Sequence, residues 1–236
     1  METLTLLKFL AKYADIPRRE ADAAIRSGRA EVNGACVLRP EFRLSPEDEI
    51  FFDGRKITAT DEKFVYIMLN KPAGFVCSAA DPHAEHLAVE LIDVPQRIFS
   101  AGRLDRDSEG LILFSNDGSF TDFLSHPKYG VKKLYEVTVN APLTENEINL
   151  MCSGICESGE TLKALQIKSL GSKKYSFLLN EGKKREIRRL VKYTGKRVVR
   201  LVRTRQGNLE LGALPQGKWR YLTPEEVVMA KENAPE

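Results

Sequence analysis

Beyond residue 63 the chain consists mainly of short apolar runs separated by polar turns, and this pattern most restricts its fold. Runs typical of β-strands lie at 64–69, 110–114, 133–139, 164–169, 175–180 and 198–204. Helical segments are fewer and lie at 86–91, 119–124, 145–152 and 184–194. Because the strands outnumber the helices and do not alternate regularly with them, we predict an α+β domain. Its sheet should be mixed and mostly antiparallel, with flanking helices.

The N-terminal segment has a different pattern, which predicts two helices followed by a small sheet. Pro17 suits the first turn of the second helix, and Gly28 suits the residue that ends it. The Asn-Gly pair at 33–34 predicts a hairpin, because both residues tolerate the positive φ angles of a type I′ turn. We therefore expect a small α+β domain over 1–58 and a larger domain over 59–236.

The net charge is only +3, but the positive charge is concentrated in one segment. Residues 181–205 hold eleven Lys and Arg against two Glu, so the remainder of the chain is net negative by six. A basic segment on a mildly acidic body indicates a surface that binds a polyanion.

Several classes of protein are disfavoured by the sequence. No apolar stretch approaches the ~20 residues needed to span a bilayer, and the N-terminus lacks the basic start of a signal peptide. The four cysteines form no CxxC pair, and His83 and His86, three positions apart, have no second pair that would complete a metal site. We expect a cytoplasmic monomer that binds no metal.

The most distinctive string is GRLDRDSEGLIL at 102–113. A polar loop rich in carboxylates and arginines, with a glycine at each end, leads directly into an apolar strand. Taken alone, the string fits either a solvated surface turn or a catalytic loop.

Three strings near the N-terminus occur in an order that resembles the RNA-binding domain named after ribosomal protein S4. They are LKFLA (7–11), PRREA (17–21) and RAEVNG (29–34). Residues 1–56 carry ten basic and ten acidic side chains. The resemblance therefore implies RNA contact along one edge, with Arg18 and Arg19 as the contact residues.

Four further strings resemble the successive motifs of the rRNA pseudouridine synthases, in the branch with an N-terminal S4-like domain. They are LNKPAG (69–74), GRLD (102–105), KLY (133–135) and EGKKREIRR (181–189). Each string is unspecific by itself, but the four in order behind an S4-like segment cover nearly the whole chain. The resemblance implies that the protein isomerises uridine to pseudouridine in ribosomal RNA.

The same resemblance implies the roles of three catalytic residues. Asp105 matches the catalytic aspartate, and Tyr135 matches the active-site tyrosine. Arg188 matches the cation that keeps the aspartate ionised, because a carboxylate in a partly dry pocket needs such a partner. Asp107 lies outside the matching GRLD core, and we interpret it as a structural or loop-capping residue.

Substrate-binding roles follow from the resemblance and from the spacing of charges. Arg103 is expected to fill the gap left when the target nucleotide leaves its stack. Lys71 is expected to be mainly structural, with a phosphate contact. Arg185, Arg189 and Lys192 share one stripe of the predicted helix at 184–194 and are expected to face phosphate. No cofactor is expected, because the isomerisation consumes no external reagent and the chain has no nucleotide-binding glycine motif.

The choice of RNA target is less constrained. The string VCSAADP at 76–82 and the lack of a long basic tail favour small-subunit (16S) rRNA, either free or within a pre-ribosomal particle, over large-subunit (23S) rRNA. Many relatives have Gln where this chain has Glu186, which weakens any inference about the RNA.

Two alternatives to the synthase remain open. One is a noncatalytic RNA-binding ribosome-assembly factor. The other is an RNA N-glycosidase that uses Asp105 and Asp107 as a pair of carboxylates.

Overall fold

A computed structural model describes residues 4–14, 16–59, 63–78 and 84–232 of the chain. The chain divides into two compact units, Met1–Lys63 and Phe64–Glu236. The predicted first domain, 1–58, falls within the first unit, and residues 60–62, just after the predicted boundary, lie outside the described residues. None of the described helices is long and apolar enough to cross a membrane.

The first unit contains two helices and a four-stranded antiparallel sheet. The elements are α1 (Leu6–Tyr13), α2 (Arg18–Arg26), β1 (Ala30–Val32), β2 (Ala35–Cys36), β3 (Ile50–Phe52) and β4 (Arg55–Ile57). The strand order is β2-β1-β3-β4. Leu6, Leu10 and Ile25 of the helices and Ile50 of the sheet are buried together in its core.

Two tight turns set the register of this small sheet. Asn33 and Gly34 connect β1 to β2 with φ angles of 53° and 77°, and Asp53 and Gly54 connect β3 to β4 with φ angles of 50° and 74°. Two consecutive positive φ angles are the geometry of a type I′ turn. The hairpin predicted from the Asn-Gly pair is therefore confirmed.

The second unit contains eleven described strands and four described α-helices. The strands are β5 (Tyr66–Lys71), β6 (Phe99–Ser100), β7 (Glu109–Ser115), β8 (Lys133–Val139), β9 (Ile155–Glu157), β10 (Glu160–Leu162), β11 (Gln166–Gly171), β12 (Lys174–Leu179), β13 (Val198–Gln206), β14 (Leu209–Glu210) and β15 (Trp219–Tyr221). The helices are α3 (Gly118–Ser125), α4 (Glu145–Ser153), α5 (Glu186–Tyr193) and α6 (Pro224–Lys231), and short 3₁₀ turns occupy Ala88–Leu91 and Pro127–Tyr129.

The main sheet has nine strands and is mixed, as predicted. Its order is β11-β12-β8-β13-β7-β5-β15, with β14 beside β13 and β6 beside β7. Every pair is antiparallel except β7 and β13, which run parallel at the centre of the sheet. The strands β9 and β10 form a separate hairpin.

The central strands are buried on both faces, which explains the unbroken apolar run at 111–114. Ile112 and Phe114 of β7 pack into one core with Leu190 and Val191 of α5. Leu111 and Leu113 point to the opposite face and pack into a second core with α3 and α6. Since each fully buried Leu or Ile contributes about 2 kcal/mol, both layers of helices stabilise the sheet.

Helices α4 and α6 begin with the same arrangement of side chains. Thr144 accepts a hydrogen bond from the amide of Glu147, whose carboxylate accepts one from the amide of Thr144. Thr223 and Glu226 repeat this reciprocal arrangement. Each cap satisfies amides that a helix start leaves unpaired. The string TPEE at 223–226 by itself predicts a C-terminal helix capped at Thr223, and α6 confirms it.

Some predicted boundaries are wrong. The predicted helix at 86–91 is only a 3₁₀ turn at Ala88–Leu91, because it is too short to form an amphipathic face. The strand predicted at 64–69 begins at Tyr66 and continues to Lys71, since backbone pairing with β7 continues into the polar residues. The sequence pattern also missed β6, β9, β10 and β14, which have two or three residues each.

Gly110 lies where the parallel strand β7 is in close contact with the backbone of β13. It is opposite Arg203 of β13 and has a φ angle of +102°. A Cβ atom at this position would lie 2.3 Å from the carbonyl oxygen and 2.7 Å from the amide nitrogen of Arg203. Both contacts are with backbone, so no rotation of a side chain could relieve them.

Replacing Gly110 by alanine should lower the free energy of unfolding by about 3 kcal/mol or more, because it adds backbone strain and a clash between central strands. Urea unfolding of Gly110→Ala measures the loss. Gly118→Ala is the matched control, since a Cβ there meets nothing within 4 Å; its effect should stay below about 1 kcal/mol. Equal losses in the two variants would contradict this account of Gly110.

Candidate active site

The loop at 102–108 and helix α5 are brought together by the parallel pair of central strands. The loop leads into β7, and α5 leads into β13. Because these strands run parallel, the chain enters both from the same end of the sheet. Two segments about 80 positions apart in sequence therefore meet at one edge of the sheet.

Between these segments lies an open cavity of about 600 Å³. Asp105 and Arg103 of the loop line it, together with Tyr135 of β8 and Arg185 at the start of α5. Cys77, Ser108, Lys183, Lys184 and Glu186 also contribute to its wall. The predicted catalytic residues Asp105 and Tyr135 thus face a common space, whereas Arg188 is absent from its lining.

The KPAG segment (71–74) and the residues just after it contact the loop at 102–108. The amide of Gly74, which has a φ angle of +95°, donates to the carbonyl of Arg106 at 2.7 Å. The amide of Leu104 approaches the buried sulfur of Cys77 at 3.4 Å. The residues on both sides of Asp105 are therefore fixed to one neighbouring segment. Asp105 itself accepts a hydrogen bond at its main-chain carbonyl from the amide of Ser108, at 3.0 Å.

Lys71 holds the KPAG segment in its bent conformation. Its side chain is fully buried, and Nζ donates to the carbonyls of Pro72 and Phe75 at 2.9 and 2.8 Å. Burial lowers the pKa of Lys71, and the nearby Cys77, Asp107, Glu109 and Asp105 oppose that shift. An ammonium with no exposed surface cannot reach a phosphate, so the phosphate contact expected for Lys71 is corrected to a purely structural role.

Asp107 is the residue that joins the loop to α5. Its carboxylate accepts two hydrogen bonds from Arg185, at 3.0 and 2.9 Å. Arg188 donates from Nη2 to the main-chain carbonyl of Asp107 at 2.8 Å, and its Nε lies 3.3 Å from Oδ2. The second approach is an ion pair without hydrogen-bond geometry, since Nε has no hydrogen-bond partner.

This arrangement corrects the predicted pairing of Arg188 with Asp105. Among the described residues, no Lys or Arg nitrogen lies within 4.0 Å of the Asp105 carboxylate. The side chain of Arg188 is only 13% exposed and is held by Asp107, two positions further along the same loop. The resemblance implied that Arg188 belongs to the site, but no sequence pattern decides which of two nearby aspartates accepts its charge.

Burial and the charges in this contact together shift the pKa values of Asp107 and Arg188. Burial alone would raise the pKa of Asp107, but the hydrogen bonds from Arg185 and the charge of Arg188 outweigh it and lower the pKa. Burial lowers the pKa of Arg188, and Asp107 opposes that shift. The two arginines therefore favour the ionised form of Asp107.

Most of the basic segment at 181–205 is neutralised within the protein. Arg185 and Arg188 pair with Asp107, Arg189 pairs with Glu157 and Glu160, Lys183 pairs with Glu181, Lys196 pairs with Glu147, and Arg200 pairs with Glu109. Arg203 is buried and donates to the carbonyl of Leu111 at 2.7 Å. In the described part of the chain, Lys184, Lys192 and Arg205 are exposed or half-exposed cations of this segment that form no ion pair with a carboxylate.

The phosphate contacts predicted on α5 for Lys192 and Arg189 have different outcomes in the structure. Lys192 is exposed, as expected. Arg189 instead bridges two carboxylates of the β9–β10 hairpin, at 2.6 Å from Glu160, and also donates to the carbonyl of Glu157 at 3.2 Å. The phosphate contact expected for Arg189 is therefore corrected to a structural tie, because the hairpin that binds it was not foreseen.

The start of α5 carries an acidic residue, Glu186, and its hydrogen bonds explain how the fold accommodates it. Its carboxylate is buried and accepts hydrogen bonds from the amides of Lys183 at 3.0 Å and Lys163 at 3.4 Å. Burial raises the pKa of Glu186, and those two hydrogen bonds oppose the shift. Arg185, just before it, has a φ angle of +54° and precedes the first residue of α5, so it is not part of the helix stripe where it was predicted.

Tyr135 and Lys133 lie on the same buried face of β8. Lys133 donates to the carbonyl of Val131 at 2.8 Å and has no described carboxylate in ion-pair contact. Burial lowers its pKa to about 8, with a further contribution from Arg203, while Glu186 and Glu181 oppose the shift. The KLY motif thus brings a buried cation close to the site, which the sequence did not distinguish from an exposed lysine.

In the first unit, Arg18 and Arg19 are exposed at the start of α2 and, among the described residues, have no ion-pair partner. Arg26 and Arg29 of the same unit pair with Asp22 and Asp53. The predicted RNA contacts at Arg18 and Arg19 stay a prediction, and their exposure leaves them accessible.

The described residues contain no cluster of three side chains that could hold a metal ion. His86 and His126 are exposed, and His83 lies outside the described residues.

Comparison with known proteins gives two family matches. Residues 65–193 match the family described as RNA pseudouridylate synthase, and residues 4–50 match the S4 domain. Both matches agree with the units of the fold that carry the corresponding motifs.

Individual proteins are similar over nearly the full chain. The ribosomal large subunit pseudouridine synthase B of Bacillus subtilis is 34% identical, over 94% of this chain and 93% of its own. The ribosomal small subunit pseudouridine synthase A of Haemophilus influenzae is 33% identical, over 95% of this chain and 98% of its own. A crystal structure of a pseudouridylate synthase superposes with a TM-score of 0.71 at 32% identity, covering 97% of this chain and 100% of that one.

The lowered pKa of Lys133 predicts a pH-dependent stability. Between about pH 8 and its ordinary pKa, the unfolded chain keeps a proton that the folded protein has released, so raising the pH favours folding. Relative to Lys133→Met, which has no such group, the wild type should gain about 2 kcal/mol from about pH 8 to about pH 10. Urea unfolding of both proteins measures this difference, and a constant difference would mean that Lys133 titrates as an exposed lysine.

Proposed function

Because this chain belongs to the RNA pseudouridylate synthase family, we propose that it converts a uridine of 16S ribosomal RNA to pseudouridine with Asp105 as the catalytic carboxylate. The observation that carries the assignment of Asp105 is its position in the cavity. It is the loop carboxylate that faces the open space shared with Tyr135, whereas Asp107 is occupied by two arginines.

The reaction cleaves the bond between C1′ and N1, turns the uracil and joins C1′ to C5, and the C5 proton is finally lost while N1 gains one. Positive charge develops at C1′ when the first bond breaks. An ionised carboxylate at that point either attacks C1′ or stabilises the charge. Asp105 is half-buried and shares no ion pair with a described cation, so its negative charge is available to the substrate.

Tyr135 and Arg103 have complementary roles in this proposal. The ring of Tyr135 is buried in the cavity wall, where it can stack on an extruded uracil and its phenol can relay the C5 proton. Arg103 is exposed at the same cavity and can occupy the gap that the nucleotide leaves in the RNA. Extrusion is needed because C5 and C1′ cannot be rearranged inside a stacked helix.

The choice of 16S rRNA is based on the VCSAADP string at 76–82, of which residues 79–82 lie outside the described residues. The small-subunit relative from Haemophilus influenzae supports this choice. The large-subunit relative from Bacillus subtilis, at 34% identity, supports 23S rRNA as the second candidate. On either proposal the protein works in the cytoplasm as a monomer, on rRNA that is free or part of an assembling subunit.

The glycosidase alternative is weakened by the environment of Asp107. A general acid must carry a proton near neutral pH, which requires a raised pKa. The pKa of Asp107 is lowered instead, and both of its carboxylate oxygens accept hydrogen bonds from Arg185, so Asp107 is poorly suited to protonate a leaving group. A noncatalytic RNA-binding factor would have no need for the cavity that Asp105 shares with Tyr135.

The test is to incubate the protein with 16S and 23S rRNA transcripts and to map pseudouridine by carbodiimide labelling and primer extension. The wild type should modify one uridine in 16S rRNA. Asp105→Asn should form none, while its affinity for the RNA stays within about twofold, because the change is isosteric and removes only the reacting charge.

Each other outcome selects a rival. Modification confined to 23S rRNA would assign the large-subunit target. Turnover by Asp105→Asn would reassign the catalyst, and released uracil would favour the glycosidase. If the wild type binds rRNA tightly, both as free RNA and in precursor subunits, but forms no pseudouridine, the result would favour the assembly factor.

The free cations of α5 and its N-terminal loop should dominate phosphate binding in the second unit. Lys184→Gln combined with Lys192→Gln should flatten the slope of log affinity against log salt by about two units, one for each lost phosphate contact. Arg189→Gln, which removes the same charge from an ion-paired position, should change the slope by well under about one unit. Filter binding at several salt concentrations measures both, and equal slopes for the two variants would mean that the ion pairs do not sequester Arg189.

A further inference from the structure

Two arginines at the start of α5 contact Asp107, and these contacts are more than are needed to cap the loop. Arg185 binds both carboxylate oxygens, and Arg188 approaches both the carboxylate and the main-chain carbonyl. The loop and these arginines are 78 and 81 positions apart. Asp107 is also only two residues from Asp105, so this contact holds the segment that carries the proposed catalytic carboxylate.

The same contact controls charge at the mouth of the cavity. The side chains of Arg185 and Asp107 are 45% and 46% exposed, and Arg185 lines the cavity. Arg185 and Arg188 both interact electrostatically with Asp105 without forming an ion pair with it. A single carboxylate therefore holds two guanidinium groups close to the site and cancels part of their attraction for phosphate.

We propose that Asp107 is a positioning residue for the isomerisation, which fixes the Asp105 loop against Arg185 and Arg188 at the cost of weaker RNA binding. This inference rests on the proposed function. Without the Asp107 carboxylate the loop loses its tie to α5, so Asp105 is less well aligned and turnover slows. At the same time Arg185 is released to pair with a phosphate, so affinity for RNA increases.

Turnover should fall while affinity for RNA rises, and these opposite signs distinguish the proposal from a merely structural role for Asp107. Asp107→Asn should lower kcat by about 10- to 100-fold, as expected for a small misplacement of a reacting group. It should also bind RNA more tightly, with a salt slope steeper by about one unit for the additional phosphate contact. A variant that simply loosened the fold would lose turnover and affinity together.

The experiment measures kcat, RNA affinity and the slope of log affinity against log salt. It uses the rRNA transcript that the wild type modifies, or the 16S transcript if the wild type modifies neither 16S nor 23S rRNA. Asp107→Glu keeps the charge and should retain the wild-type affinity and slope with a smaller loss of kcat. Adding Arg185→Gln to Asp107→Asn should return the affinity and slope to the wild-type values without restoring kcat. Arg220→Gln is the control, since it removes another two-point carboxylate pair, with Glu226, and should alter none of these quantities.

The outcomes distinguish this inference from the proposed function. Absence of pseudouridine with the wild type would refute the proposed function, while affinity and salt slope would still decide the role of Asp107. An unchanged kcat in Asp107→Asn, or an affinity that falls or stays constant, would overturn the inference. The contact is about half exposed, so its loss should leave the urea unfolding midpoint close to that of Arg220→Gln.

Discussion

The arrangement of the site depends on the contact between the loop at 102–108 and helix α5, which is made by Asp107 with Arg185 and Arg188. This contact is possible because β7 and β13 run parallel at the centre of the sheet and the chain enters both from one end. Gly110 allows those strands to approach, since any Cβ there would overlap the backbone of Arg203. The backbone geometry of two strands therefore determines the position of the proposed catalytic carboxylate.

The distribution of charge around this contact differs from what the count of basic residues suggests. Six of the eleven cations in the segment at 181–205 pair with carboxylates of the same unit, and Arg203 is buried. RNA attraction is left to a few exposed side chains, of which Lys184 lies in the cavity wall. A basic segment can thus serve mainly to assemble a site, because each ion pair that ties two elements together also removes a charge from the surface.

Local patterns predicted those parts of the fold whose cause is local. The Asn-Gly turn at 33–34, the cap at Thr223 and the buried stripe of α5 follow from conformational preference and from periodicity over one or two turns. Strand ends were less predictable, because β5 continues to Lys71 only through its pairing with β7. The very short strands β6 and β14 have too few residues to show a pattern, and they form because a long neighbour offers hydrogen-bonding groups.

The sequence by itself determined the two-unit α+β organisation and the order of the family motifs, and it predicted that Asp105 and Tyr135 belong to one site. Only the tertiary structure decided that Arg188 and Arg185 bind Asp107, that Arg189 is held by the β9–β10 hairpin, and that Lys71 and Lys133 are buried. The reason is physical. Turns, caps and apolar stripes depend on neighbours within a few positions, whereas the partner of a charged side chain depends on which distant segment the folded sheet brings within about 4 Å.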